Sequence, residues 1–116
     1  MKWLGVAGVF AAVLAIGVVL AASAAQANPP LYDVKTFCEE VANTGGYSEE
    51  ILQGCYQNEQ SAYDALKPVW DGLPERMQTF CRQVAETGRA SYEILKGCVD
   101  NEKAAAQQNG NFTFQP

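Results

Sequence analysis

The segment from Thr36 to Glu59 recurs without a gap from Thr79 to Glu102, with 15 of 24 positions identical at an offset of 43 residues. The shared pattern reads TFCxxVAxTGxxSxEILxGCxxNE. Agreement at this level within one chain marks an internal duplication, so the same structural unit has to form twice. The connection between the copies is short, and the two units therefore have to pack on each other.

In the first copy Val34, Phe37, Cys38, Val41 and Ala42 recur at i, i+3, i+4, i+7 and i+8, which is one apolar face of a helix. Met77, Phe80, Cys81, Val84 and Ala85 repeat that spacing in the second copy. Gly45 and Gly88 stand where each stripe ends, and glycine just past a helix can take the left-handed conformation that closes the last turn. Three residues later Ser48 and Ser91 occupy N-cap positions, with Glu49, Glu50 and Glu93 in the following turn to complement the helix dipole. The second helix of each unit places Ile51, Leu52, Cys55, Ala62 and Leu66, or Ile94, Leu95, Cys98 and Ala105, on its apolar face. Lys67-Pro68 ends the first of these long helices, and Pro74 suits the start of the next. From Gln107 to Pro116 periodicity is lost, as in a loose tail. The expected fold is all-α: two tandem antiparallel helical hairpins, repeat 1 over residues 31–66 and repeat 2 over 74–106, packed as a small four-helix domain within residues 28–106.

The N-terminus decides how the cysteines are read. Met1-Lys2, the apolar run from Trp3 to Ala22, and small residues at the −3 and −1 positions of Ala25-Gln26-Ala27 describe a secretory signal peptide over residues 1–27. Retained, the same run is long enough to act as a membrane anchor. Export to the periplasm or outside the cell places Cys38, Cys55, Cys81 and Cys98 in an oxidising compartment. Cys38 lies six or seven residues before the serine-capped turn and Cys55 seven after Ser48, so both sit about 10 Å from the loop end at 1.5 Å rise per residue. The same count holds for Cys81 and Cys98, which predicts the pairs Cys38–Cys55 and Cys81–Cys98. No CxxC spacing of the zinc or redox type is present, and the cysteines are read as structural.

Charge narrows the function classes. Beyond residue 27 there are seven basic and thirteen acidic residues, a net charge of −6, with no basic stripe to meet a phosphate backbone. Nucleic acid is not an expected partner. The chain has no histidine, so the commonest general base and the commonest metal ligand are both missing, and neither a metal nor another cofactor is expected. Residues 31–66 carry seven acids against Lys35 alone, and Glu39, Glu40, Glu49 and Glu50 near the first loop are candidates to meet a basic protein surface. The bland reading makes them solvated helix faces.

Glu59 and Glu102 each lie four residues after the second cysteine of a repeat and so project near the apolar face. They could bind a cation or a basic group, or act structurally at the core edge against Arg76 or Arg82. Trp70 is either part of a recognition surface with Tyr32, Tyr47, Tyr56, Tyr63 and Tyr92, or a plug between the hairpins. Asn111-Phe112-Thr113 meets a three-residue glycosylation pattern too short to inform.

The pattern FCxxVAxTGxxSxEILxGCxxNE, with Trp70 and Arg76 leading into the second copy, resembles small uncharacterised exported bacterial proteins built on stapled hairpins. The resemblance covers Val34 to Ala105 and implies the hairpin scaffold but no activity. Three functional classes follow from the residues: a non-enzymatic exported module that binds a protein, an envelope-associated structural protein held by a retained N-terminal span, and a hydrolase using Glu59 and Glu102. The first is expected, because no nucleophile motif or catalytic constellation accompanies the carboxylates.

Overall fold

The computed structural model describes residue 17 and residues 27–116. The expected signal segment, residues 1–27, lies outside the described residues apart from positions 17 and 27. Among the described residues there are four α-helices and no strand: α1 Val34–Ala42, α2 Glu49–Leu66, α3 Glu75–Glu86 and α4 Tyr92–Gly110, with a 3-10 turn at Trp70–Gly72 between the two pairs.

Local chemistry sets the helix ends. Asp33 caps α1 by accepting the Thr36 N–H at 3.1 Å and its hydroxyl at 2.7 Å, and these two bonds hold the Asp33 carboxyl below its ordinary pKa. Ser48 and Ser91 are extended and cap α2 and α4, accepting the N–H of Ile51 at 3.2 Å and of Ile94 at 3.4 Å. Gly45 and Gly88 take φ of +82° and +85° at the turns, as their positions predict. Both cysteine pairs are joined as expected, Cys38 to Cys55 and Cys81 to Cys98, with Cα separations of 5.6 and 5.5 Å. Each bridge links residues 17 apart and removes enough unfolded-chain entropy to contribute about 3 kcal/mol.

Helix α1 packs on α2, α3 packs on α4, and the two long helices α2 and α4 pack on each other. The core lies along this inner pair: Ala62 and Leu66 from α2, Trp70 and Leu73 from the connector, Cys81 and Ala85 from α3, and Tyr92, Leu95 and Val99 from α4. Trp70 is fully buried, and its carbonyl accepts a 2.7 Å bond from the amide of the buried Gln78. Its place is therefore the plug between hairpins and not a recognition surface. Tyr92 fixes the incoming chain: its hydroxyl donates to the Pro30 carbonyl at 2.7 Å and accepts the Tyr32 N–H at 2.8 Å. The rings of Tyr32 and Tyr63 lie against it at 4.7 and 4.9 Å. Among the described residues no helix is long and apolar enough to cross a membrane.

Three sequence expectations change. The last helix continues to Gly110, beyond residue 106, because Ala104, Ala105, Ala106, Gln107 and Gln108 favour helix even where no apolar stripe directs them. Ala105 is exposed, in an open hollow that it lines with Arg76 and Met77 of α3. Val41, Ile51, Val84 and Ile94 were expected on buried stripes and are 37%, 47%, 40% and 44% exposed. Two helices held this close bury a narrow line, Cys38 and Ala42 or Cys81 and Ala85, and no third layer covers the residues one step round.

Replacing Gly88 by valine should lower stability by about 1 kcal/mol or more, because a branched side chain resists positive φ; an unchanged urea midpoint would contradict this. A second expectation concerns alkali. Burial, followed by the nearby Glu86 charge, pushes the Tyr32 phenol well above its ordinary pKa, and burial does the same for Tyr92. The native state then holds these protons more tightly than the unfolded chain. The associated stability is complete below the ordinary tyrosine pKa of about 10 and is lost as pH rises above it. The urea midpoint should fall from about pH 9 to about pH 11, and fall less in Tyr32→Phe; an equal fall in that variant would contradict the assignment.

Candidate functional site

The repeated carboxylates have different fates. Glu59, on α2, is fully buried. Its Oε1 accepts the Ser91 hydroxyl at 2.6 Å and the Glu93 N–H at 3.4 Å, and its Oε2 accepts the Tyr92 N–H at 2.6 Å. A lone carboxylate in an apolar interior is costly, and three donors at the positive end of the α4 dipole offset that cost. The expected arginine partner is not used: Arg82 bonds Glu86 on its own helix at 3.3 Å. Glu59 was placed at the core edge by its spacing from Cys55; it is sealed because α4 of the other hairpin covers that face.

Glu102 occupies the same position in the second copy but remains partly exposed. It lines an open hollow of about 320 Å³ with Arg76, Met77 and Phe80. Glu59 and Glu102, considered as a hydrolytic pair, are thus one sealed joint and one open surface group.

The four acids of the first loop region are not one uniform patch. Glu40 forms an ion pair with Arg89 of the second hairpin, and Glu39 is 4.0 Å from Lys35 on its own helix. Tyr47 donates its phenol to Glu49, a bond that raises the Tyr47 pKa, and Glu50 faces solvent. Among the described residues no group of carboxylates and cysteines is arranged to hold a metal ion, and no cysteine is free.

The feature that sequence reasoning missed is lateral. Val84 and Ile94 line a shallow hollow of about 440 Å³ with Phe80, Gly97 and Asn101. Val41 and Ile51 are their equivalents in the first copy and are exposed to a similar degree. The signal was present in the repeat itself: these valines and isoleucines are identical in both copies although they neither bridge, turn nor cap. No family model, curated protein or solved structure matches the chain.

The two copies provide their own control. Glu59→Ala should cost about 3 kcal/mol, since it leaves the Ser91 hydroxyl and the Tyr92 N–H without an acceptor inside the protein. Glu102→Ala should cost less than about 0.5 kcal/mol, as expected of a surface change. Equal urea midpoints for the two variants would contradict the assignment of Glu59 as the joint.

Proposed function

We propose that the chain is an exported, non-enzymatic module whose stapled hairpins present a fixed surface to a protein partner. The observation that carries this reading is the repeated exposure of Val41 with Ile51 and of Val84 with Ile94. Apolar side chains left in solvent at the same place in both copies suit a contact surface better than a core, and the disulfides hold each pair on a rigid backbone. In sequence the first pair is flanked by Glu39, Glu40, Glu49 and Glu50, so the complementary partner has an apolar patch with a basic rim. Two disulfides and the Ala25-Gln26-Ala27 signal pattern support a periplasmic or secreted location.

A second reading, a module held at the envelope by retained residues 1–27, draws on the short entry to the domain. Pro29 is buried and Pro30 is bonded to Tyr92, so an N-terminal span would hold the domain close to the membrane surface. Intact mass separates the two readings.

The test compares wild type with a variant in which Val41, Ile51, Val84 and Ile94 are all serine, each used with disulfides intact to capture proteins from the native extracytoplasmic fraction. Because these side chains are exposed, the fold should survive, and affinity for the captured protein should fall by about tenfold or more. Glu39, Glu40, Glu49 and Glu50 changed together to glutamine should weaken capture at low salt and matter less at physiological salt. Equal capture by all three proteins, or no protein retained by wild type, would contradict the proposal.

A further inference from the structure

At five positions the copies carry identical residues that differ in burial, among them Ala62, which is buried, and Ala105, which is exposed. Glu59 and Ser91 are fully or almost fully buried and Leu95 is fully buried, whereas Glu102, Ser48 and Leu52 are partly open. Phe37 is half-buried beside Arg89 and Ala90 of the other hairpin, while Phe80 is 46% exposed. Every more-buried member faces the joint between the hairpins. Every more-open member lies on the outer side of its hairpin, which no other hairpin covers among the described residues.

Each outer end therefore keeps one half of the joint. The second hairpin keeps the accepting carboxylate: Glu102 lines the 320 Å³ hollow with Met77 and Ala105, at the place where Glu59, Val34 and Ala62 of the first hairpin meet the second. The first hairpin keeps the receiving half, the start of α2. There the Ser48 hydroxyl and the N–H groups of Glu49 and Glu50 correspond to Ser91, Tyr92 and Glu93, which hold Glu59. Among the described residues neither half has a carboxylate or a receiver to meet.

We propose that a second copy of the chain supplies it, with Glu102 of one molecule received by the start of α2 of the next, head to tail. The contact continues an interface the chain already makes between its own hairpins, with Glu102, Ser48, Leu52 and Phe80 at the places of Glu59, Ser91, Leu95 and Phe37. Arg76 in the hollow meets the acidic first hairpin, while Glu49 and Glu75, at the positions of the stacked Tyr92 and Tyr32, are like charges that weaken the contact. The outer version is weaker than the inner one. Leu66 and Tyr92 of the inner joint correspond to Asn109 and Glu49, so less apolar surface is removed from water. Association is accordingly reversible, rises with concentration, and does not close at two copies.

The test is sedimentation equilibrium of the oxidised chain from Asn28 to Pro116, from about 10 μM to about 1 mM. Wild type should gain mass with concentration beyond a dimer. Glu102→Gln removes the accepting carboxylate's charge at the surface and Ser48→Ala removes the hydroxyl that donates to it, so each variant alone should self-associate at least tenfold more weakly. Mixed together they share one intact carboxylate and one intact helix start, and the mixture should form dimers and nothing larger. Wild type that stays monomeric throughout would overturn the proposal, and so would self-association unchanged by Glu102→Gln, a surface substitution that leaves the fold intact.

Discussion

The bonds from Ser91 and Tyr92 to the sealed carboxylate of Glu59 join the middle of one hairpin's long helix to the start of the other's. Other contacts between the hairpins flank this joint, among them the Glu40–Arg89 ion pair and the Tyr92 hydroxyl bonded to Pro30. It fixes which part of α2 meets which part of α4, and the apolar residues Ala62, Leu66, Leu95 and Val99 follow on the same inner faces. A purely apolar joint between two helices could slide by a turn at little cost. A buried carboxylate cannot, because displacement would leave both its charge and the helix-end donors without partners.

Within each hairpin the controlling interaction is covalent. A pair of helices this short buries little apolar surface: α1 has nine residues, and only Cys38 and Ala42 of them are fully buried. A hydrophobic core of that size does not hold a hairpin, and the disulfide supplies what burial cannot. This division of labour explains the exposed valines and isoleucines. With the hairpins closed by sulfur and joined by Glu59 and Trp70, the lateral faces are left partly open to solvent.

Much of this architecture was legible in the repeat. Helix identity came from 3.6-residue spacing, turns from Gly45 and Gly88, caps from Ser48 and Ser91, and the cysteine pairing from equal distance to the turn. All of these are local signals, read within about twenty residues. What could not be read was which hairpin face meets the other, because that depends on contacts between residues 32 or more positions apart, such as Glu59 with Ser91. Glu59 and Glu102 share the Cys-x-x-Asn-Glu spacing, and it is the other hairpin packed on α2 that makes Glu59 a joint while Glu102 stays a surface group. The same gap hid the lateral surface: periodicity assigned Ile51 and Ile94 to a buried stripe, whereas the hairpin is too thin to cover both sides of that stripe.

Amide hydrogen exchange tests the central role of Glu59 most directly, since the start of α2 serves as an internal reference for the start of α4. The Tyr92 N–H is bonded to the buried carboxylate, while the Glu49 N–H at the equivalent position is not. If Glu59 holds the hairpins together, Tyr92 exchanges only through global or near-global unfolding and Glu49 exchanges at close to the rate of an open helix end. Equal, rapid exchange at Tyr92 and Glu49 would contradict the account, because it would show that the joint opens without unfolding the protein.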